Sequence, residues 1–316
     1  MERCFKSFDG VKICYEYNQG KNPLTLVFLH GVGGNWTVWK KELDYFQKKG
    51  FSTIAIDLRG HGKSAAPLDF KKYQVTNFMR DIHGVLKSEK IKQYALVGHS
   101  LGGAFAIQYC VRYKRYSPAA LILIEGACIW PFDHDHLLNK GPYFSHLLKF
   151  ICQHTPTRRC FKILKDIDLS EDKLKDKMHL LGYLLHITPI KTLAMTLENT
   201  ERFVFKNLEH IHTGLSQLAI PTLLIAGADD KIMPPELSKI IKQYKKDAKL
   251  HIIKGADHHI IMQNADKVSS IMNRFVKENV LSNLSPDSSS STSTLNSSSS
   301  LNSTSSTPTI SVPKSL

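Results

Sequence analysis

The sequence predicts an α/β protein with a mostly parallel central sheet and helices on both faces. Short, continuous apolar runs alternate with helical patterns over residues 1–127 and again after residue 216. Continuous apolar runs are typical of strands covered on both faces, and the strand–helix alternation indicates parallel order. The chain has 316 residues, 42% of them apolar, so it is long enough to bury a large core.

Five strands are expected in the first part of the chain. They are Val11–Tyr17, Leu24–Leu29, Phe51–Ile56, Tyr94–Val97 and Ala119–Ile124. Between them, helices are expected over Thr37–Lys49, Val75–Ile91 and Leu101–Tyr113. In the second of these helices the apolar side chains recur near helical spacing, which favours one face packed on the sheet.

The alternation stops over residues 128–215, where the patterns are helical. The expected helices there are Leu137–Ile151, Leu169–Leu185 and Ile190–Phe205. Strands return at Pro221–Ala226 and Lys249–Ile253, and a last helix runs to about Val280. We therefore predict a core formed by residues 1–127 and 216–281, with residues 128–215 inserted as a helical cap.

The composition changes near residue 282. Of the 35 residues from Ser282 to Leu316, 16 are serine and only Asp287 and Lys314 are charged. Such a segment cannot bury enough apolar surface to offset the entropy lost on ordering. Residues 282–316 are predicted to be a disordered tail.

Charge and composition exclude several function classes. The net charge of +14 is spread over the chain rather than gathered in a stripe, so it favours weak contact with anionic membrane surfaces over nucleic-acid binding. No run approaches the ~18 apolar residues of an integral membrane span, and no apolar leader is visible at the start. We expect a cytoplasmic protein whose six cysteines are reduced.

The strongest chemical signal is the segment Gly98-His99-Ser100-Leu101-Gly102, which stands between an apolar strand and a helix. A G-x-S-x-G sequence in that position forms a tight turn that exposes the serine at a helix N-terminus. Free backbone N–H groups there favour negative charge. Ser100 is therefore the predicted nucleophile.

A serine hydroxyl needs a base, and the base needs an acid to orient it. His258 and Asp230 each follow a predicted strand, and loops converge at the carboxyl edge of a parallel sheet. They are the predicted base and acid. The backbone N–H groups of Leu101 and of Val32, in a glycine-rich loop after another strand, are the expected donors to an oxyanion.

Five segments together resemble the α/β-hydrolase superfamily, in its cap-bearing esterase-like or lipase-like branch. They are His30–Gly34 (HGVGG), Asp57–Ser64 (DLRGHGKS), Gly98–Gly103 (GHSLGG), Gly227–Pro234 (GADDKIMP) and Gly255–His258 (GADH). The resemblance covers residues 3–280 and implies the α/β-hydrolase fold. It favours Asp230 over the neighbouring Asp229, with Glu125 as the alternative acid, and it favours His258 over His259.

The resemblance implies a serine hydrolase that acts on a carboxylic ester, with an apolar or lipid-like acyl group, through an acyl-enzyme. No cofactor or metal is expected. An acyltransferase, a peptidase or a carbon–carbon bond hydrolase could use the same three residues, and a non-catalytic binding protein could keep the fold. Ser100 argues against epoxide hydrolase chemistry, for which the superfamily has an aspartate at this position. Asp133–His136 has alternating ligand-type residues but is expected to be a polar loop rather than a metal site.

Overall fold

The computed structural model describes residues 1–131 and 188–283. Eight strands form one sheet in the spatial order β1-β2-β4-β3-β5-β6-β7-β8. They are β1 (Glu2–Lys6), β2 (Lys12–Asn18), β3 (Thr25–Leu29), β4 (Ser52–Ile56), β5 (Tyr94–His99), β6 (Ala120–Ile124), β7 (Thr222–Gly227) and β8 (Lys249–Ile253). The six strands from β3 to β8 pair in parallel, and β1 and β2 add an antiparallel edge.

Helices cover both faces of this sheet, as the apolar runs predict. They are α1 (Lys40–Lys48), α2 (Val75–Ser88), α3 (Leu101–Arg112), α4 (Ile190–Ser216), α5 (Pro235–Tyr244), α6 (Ile260–Gln263) and α7 (Ala265–Asn279). Short 3-10 turns lie at Trp36–Trp39, Phe70–Tyr73, Lys114–Tyr116 and Leu281–Asn283.

The core has two main layers, because neighbouring strand residues point to opposite faces. In β3, Val27 joins the cluster that contains Phe78 of α2 and Phe105 of α3. The adjacent Phe28 joins the cluster that contains Phe46 of α1 and Val276 of α7. The sheet is thus packed on both sides, and the mostly parallel α/β architecture expected from the sequence is confirmed.

Strand β1 is absent from the sequence-based prediction, and it changes the expected state of two cysteines. In the antiparallel pairing of β1 with β2, Cys4 lies directly opposite Cys14, and their Cα atoms are 4.0 Å apart. The two form a disulfide. The expectation of six reduced cysteines is therefore wrong for this pair, while Cys110 and Cys128 are free and buried.

Helix α4 also differs from the prediction. The expected helix ended at Phe205, but α4 continues to Ser216, with a non-helical backbone at Asn207. Its side chains at Ile211 and Leu215 are buried, so this second half packs on the core.

Several sequence-based predictions fall outside the described residues. They concern the helices Leu137–Ile151 and Leu169–Leu185, the segment Asp133–His136, Cys152 and Cys160, and the tail from residue 284 onward. The domain boundaries accordingly stay predictions. Over the two described stretches, no helix combines the length and hydropathy needed to cross a membrane.

Candidate active site

Ser100 stands in the turn between β5 and α3 with a left-handed backbone, at φ +53°. Such a φ is uncommon for a residue with a Cβ, and it persists only where the surroundings fix it. The flanking glycines allow this turn. A Cβ on Gly98 would lie 2.5 Å from Gly102 O, and one on Gly102 would lie 2.4 Å from Leu29 O. Close backbone packing therefore requires glycine at positions 98 and 102.

His258 and Asp230 meet at the same edge of the sheet. Asp230 follows β7 and His258 follows β8, and these strands are parallel neighbours. His258 Nδ1 lies 2.8 Å from Asp230 Oδ2, a hydrogen-bond distance. The two residues predicted as base and acid are thus paired, with Nδ1 of the imidazole facing the carboxyl group.

Asp230 is set up to carry a negative charge. Its Oδ1 accepts the backbone N–H groups of Ile232 and Met233, both at 2.8 Å. Burial acts to raise its pKa, but His258 and these two N–H groups hold the pKa of Asp230 below its usual value. The ionised carboxylate can therefore fix the orientation of the imidazole.

The glycine-rich loop after β3 is held by His30. The ring accepts the Leu58 N–H at Nε2 over 3.0 Å, so the proton is on Nδ1, which donates to Gly31 O over 2.7 Å. Burial, together with the nearby His61, lowers the pKa of His30 to about 3 and keeps it neutral. The sequence predicts that His30, in a glycine-rich loop, is a hydrogen-bonded loop anchor rather than a base, and these two contacts agree with that prediction.

This anchoring orients the peptide group between Gly31 and Val32. Gly31 O is held by His30 and also accepts the Gly34 N–H over 3.2 Å. In a trans peptide the N–H points away from the carbonyl, so the Val32 N–H is directed to the opposite side. Neither the Val32 N–H nor the Leu101 N–H has a hydrogen-bond acceptor among the described residues.

Glu125 and His99 complete a buried cluster beside the pair. Glu125 Oε2 is 2.9 Å from His99 Nε2 and 3.4 Å from His258 Nδ1. The His99 and His258 rings lie 5.0 Å apart between centroids. Because His99 directly precedes Ser100 in the chain, the sequence predicts a structural residue whose side chain points away from the candidate catalytic residues. The predicted direction is wrong, since the ring faces Glu125 and His258. Burial, and the charge that His258 can carry, hold the pKa of His99 well below its usual value.

The same cluster offers ligand atoms in the number that a metal needs. One atom each from His99, Glu125 and His258 lies within 4.8 Å of the others. Glu125 already bridges the two rings at hydrogen-bonding or near hydrogen-bonding distance. We therefore interpret the cluster as a hydrogen-bonded network.

A small cavity of about 40 Å³ opens beside Ser100. It also reaches Val32 and Leu101, so it brings together the nucleophile candidate and both proposed N–H donors. No charged side chain of the described residues contributes to its lining. The lining is Val32, Ser100, Leu101, Ala104, Ala127, Ile129, Trp130, Pro131, Leu197, Thr200, Val204 and Met233.

The sequence pattern predicts some residues of this candidate site and does not predict others. Ser100, His258 and Asp230 all lie at the carboxyl edge, as the strand–loop pattern predicts. Glu125 was identified only as an alternative acid, whereas the structure places it in contact with the same imidazole. Thr188 was missed: its Oγ1 donates to Gly33 O over 3.1 Å and ties the start of α4 to the glycine-rich loop.

Comparisons with known proteins agree with this architecture. Epoxide hydrolase 3 of Xenopus tropicalis is 28% identical over 291 residues, which cover 86% of this chain and 76% of that protein. Human protein ABHD8 is 25% identical over 256 residues, and the match spans 80% of this chain but 55% of ABHD8. The structure of the esterase EaEST from Exiguobacterium antarcticum superposes with a TM-score of 0.69 at 20% identity, covering 88% of this chain and 100% of the esterase.

At that identity the esterase structure shows the fold alone, which is the α/β-hydrolase fold. The family model described as serine aminopeptidase, S33, matches residues 20–265, more than three quarters of the chain. The chain therefore belongs to the serine aminopeptidase S33 family of α/β hydrolases, and its general role is that of a hydrolase.

Proposed function

We propose that the protein is a serine hydrolase that cleaves a carboxylic ester with an apolar or lipid-like acyl group. The observation that carries the proposal is the 2.8 Å contact between His258 Nδ1 and Asp230 Oδ2, at the sheet edge where Ser100 occupies a strained turn. This is the arrangement of base and acid that a serine nucleophile needs.

In the proposed reaction, Ser100 Oγ attacks the ester carbonyl carbon and its proton passes to His258 Nε2. Asp230 keeps Nδ1 protonated and stabilises the imidazolium that forms. The N–H groups of Val32 and Leu101 receive the oxyanion. His258 then protonates the leaving alcohol, and a water activated by the same ring hydrolyses the acyl-enzyme.

The cavity beside Ser100 supports an apolar acyl group. Its described lining is almost wholly aliphatic or aromatic, with Thr200 and Ser100 as the polar exceptions. The Thr200 hydroxyl is already occupied, since it donates to Thr196 O over 2.7 Å. An uncharged acyl chain therefore fits this surface better than a charged group does.

A second candidate function is cleavage of a peptide bond at an amino terminus, which the description of the family model favours. An aminopeptidase must bind a free ammonium group, and a buried ammonium needs an acidic or carbonyl partner. The described cavity lining contains no acidic side chain. Aminoacyl amides are accordingly expected to react more slowly than apolar esters.

A fluorophosphonate probe tests the proposal directly. We expect a single adduct on Ser100, identified by peptide mass, and loss of the adduct in Ser100→Ala. His258→Ala should slow labelling by about 10³-fold or more, because the hydroxyl loses its base. A panel of p-nitrophenyl esters, compared with aminoacyl amides and a small epoxide, then separates the reaction classes.

Product analysis with and without added alcohol acceptors separates hydrolysis from acyl transfer. A hydrolase releases the free acid as its main product when alcohol acceptors are added, whereas an acyltransferase gives the new ester. A folded wild-type protein that shows no adduct on Ser100 would contradict the proposal and favour a binding role.

A further inference from the structure

The glycine-rich loop after β3 makes a tight turn around Val32. The Gly34 N–H donates to Gly31 O over 3.2 Å, and Gly33 has a φ of +77°. A positive φ at the third residue is typical of a type II turn, which glycine favours at that position. The turn lies against the candidate nucleophile, since a Cβ added to Gly31 would be 3.2 Å from Ser100 Cβ.

The residues on either side of Val32 are each held, through a carbonyl group, by a buried side chain. On one side, Gly31 O accepts the Nδ1–H of His30 over 2.7 Å. On the other, Gly33 O accepts the hydroxyl of Thr188 over 3.1 Å. His30 and Thr188 are both fully buried, so these hydrogen bonds lie in a low-dielectric environment, where they are stronger than in water.

Thr188 reaches this turn from 155 residues away in the chain, and the segment that carries it is firmly held. It is followed by Pro189, whose ring restricts the backbone just before α4 begins. In the first turn of α4, Thr192 Oγ1 lies 3.3 Å from Tyr73 Oη. A Cβ added to Gly60 would be 2.4 Å from Thr192 Cγ2, so the two segments are in close contact. The Thr188 hydroxyl is therefore presented from a fixed position.

The exit of the turn is the part that most needs such a contact. Gly33 and Gly34 have no side chains, and glycine has the largest backbone freedom of any residue. The next anchor along the chain is the Trp36 N–H, which donates to Asp57 Oδ1 over 2.7 Å. Of the described side chains, Thr188 alone forms a hydrogen bond to either glycine.

We propose that Thr188 is a positioning residue of the active site, whose hydroxyl holds the turn Gly31–Gly34 so that the Val32 N–H stays directed at the oxyanion. The inference rests on the proposed function, in which this N–H is one of two oxyanion donors. Thr188 is not among the described residues that line the cavity beside Ser100, so it acts through Gly33. A donor that is fixed in advance stabilises the transition state without reorienting during the reaction. Thr188 should therefore influence kcat rather than KM.

The experiment compares full-length wild type with Thr188→Val, Thr188→Ser and Thr196→Val. Valine keeps the shape of threonine without its hydroxyl, whereas serine keeps the hydroxyl. Thr196→Val is the matched control, because Thr196 is fully buried on α4 and its hydroxyl has no hydrogen-bond partner among the described residues. Thermal unfolding verifies that each variant is folded.

Two kinetic quantities report the oxyanion donors. The first is the pair of kcat and KM for the p-nitrophenyl ester that wild type cleaves fastest. The second is the inhibition constant of a trifluoromethyl ketone. The serine oxygen adds to the ketone carbon and its proton passes to the histidine, which leaves a tetrahedral oxyanion in place of the carbonyl.

Thr188→Val should lower kcat by about 10- to 100-fold, less than the roughly 10²- to 10³-fold loss that follows outright removal of a donor. KM should change by less than about twofold, and the ketone should bind more weakly by about the same factor as kcat falls. Thr188→Ser should recover most of the loss, and Thr196→Val should match wild type. A wild-type kcat in Thr188→Val, or an equal loss in Thr188→Ser, would overturn the proposal.

Amide exchange of Gly34 in protein labelled with ¹⁵N-glycine reports the turn without any substrate. Thr188→Val should exchange this N–H about tenfold or more faster than wild type, because the turn opens more often. Equal exchange rates would also overturn the proposal. A wild type that forms no adduct on Ser100 contradicts the proposed function instead, and the exchange rates still decide whether Thr188 holds the turn.

A second variant covers the case in which Thr188→Val does not fold. Thr188→Cys then replaces it, because a thiol is a weaker hydrogen-bond donor than a hydroxyl. The variant should show a lower kcat and faster exchange of Gly34 than Thr188→Ser. Identical values for these two variants would contradict a role of the hydrogen bond.

Discussion

Glu42 shows how a single buried carboxyl group makes stability depend on pH. It is fully buried in α1, and neither carboxyl oxygen has a hydrogen-bond partner among the described residues. Burial raises its pKa to about 8 from an ordinary value of 4.5. The folded chain therefore holds more protons than the unfolded chain between these two pH values, and its free energy of unfolding falls as the pH rises through them.

Glu42→Gln should remove this dependence. We expect the variant to be more stable than wild type by about 2–4 kcal/mol at pH 8, and to differ little near pH 4.5. Urea unfolding at the two pH values measures the difference. A difference that stays constant with pH would contradict the assignment of the effect to ionisation of Glu42.

The residues of the site were predictable to different degrees. Ser100, Asp230 and His258 stand at fixed offsets from strand ends, and such positions can be identified along the chain. The contact of Glu125 with His258 depends on the register between β6 and β7 and on a left-handed backbone, which a sequence does not display. The position of His99 was mispredicted for the same reason.

At the scale of elements, seven of the eight strands were predictable from the sequence, and the first strand was not. Strands β3 to β7 are continuous apolar runs, and each was predicted to within a few residues. Strand β1 is short, alternates exposed and half-buried residues, and carries charges, so its sequence resembles a loop. Without β1, the pairing that brings Cys4 to Cys14 could not be predicted either.

A buried ion pair joins two elements that follow β4. Arg59, in the loop after that strand, is fully buried. Its Nε and Nη2 atoms each donate over 2.7 Å to the two carboxyl oxygens of Asp81 on α2. The bidentate contact fixes the loop Asp57–Ser64 against the helix.

Asp81→Ala should therefore destabilise the protein strongly. The change leaves a buried guanidinium without its main partner, and we expect a loss of about 3–5 kcal/mol in the free energy of unfolding. Asp44→Ala is the control, because the Lys40–Asp44 pair on α1 is exposed and should contribute under about 1 kcal/mol. Similar losses for the two variants in chemical denaturation would contradict this reading.

At the scale of the molecule, the disulfide between Cys4 and Cys14 fastens the first strand to the rest of the sheet. It closes a loop between residues ten apart in sequence. A disulfide that closes a loop of this length is expected to add about 2–3 kcal/mol to the free energy of unfolding, because it reduces the conformational entropy of the unfolded chain. Such a bond is more common in oxidising compartments than in the cytoplasm, where this protein was expected.

Replacing both cysteines tests this contribution. Wild type should lose about 2–3 kcal/mol when a reductant is added, and the variant Cys4→Ser with Cys14→Ser should show the lower stability under both conditions. Denaturation with and without dithiothreitol measures it. An identical midpoint for wild type in both buffers would argue against a disulfide in solution.

The spatial order of the strands has a consequence for how the protein is made. From β5 onward, each new strand joins the sheet next to the one before it, so the sheet grows outward as the ribosome releases the chain. Ser100 emerges with β5, but its proposed partners follow β7 and β8. A nascent chain therefore carries the proposed nucleophile for well over a hundred residues of synthesis before the proposed base is made, so no complete catalytic set is expected until the last strand is in place.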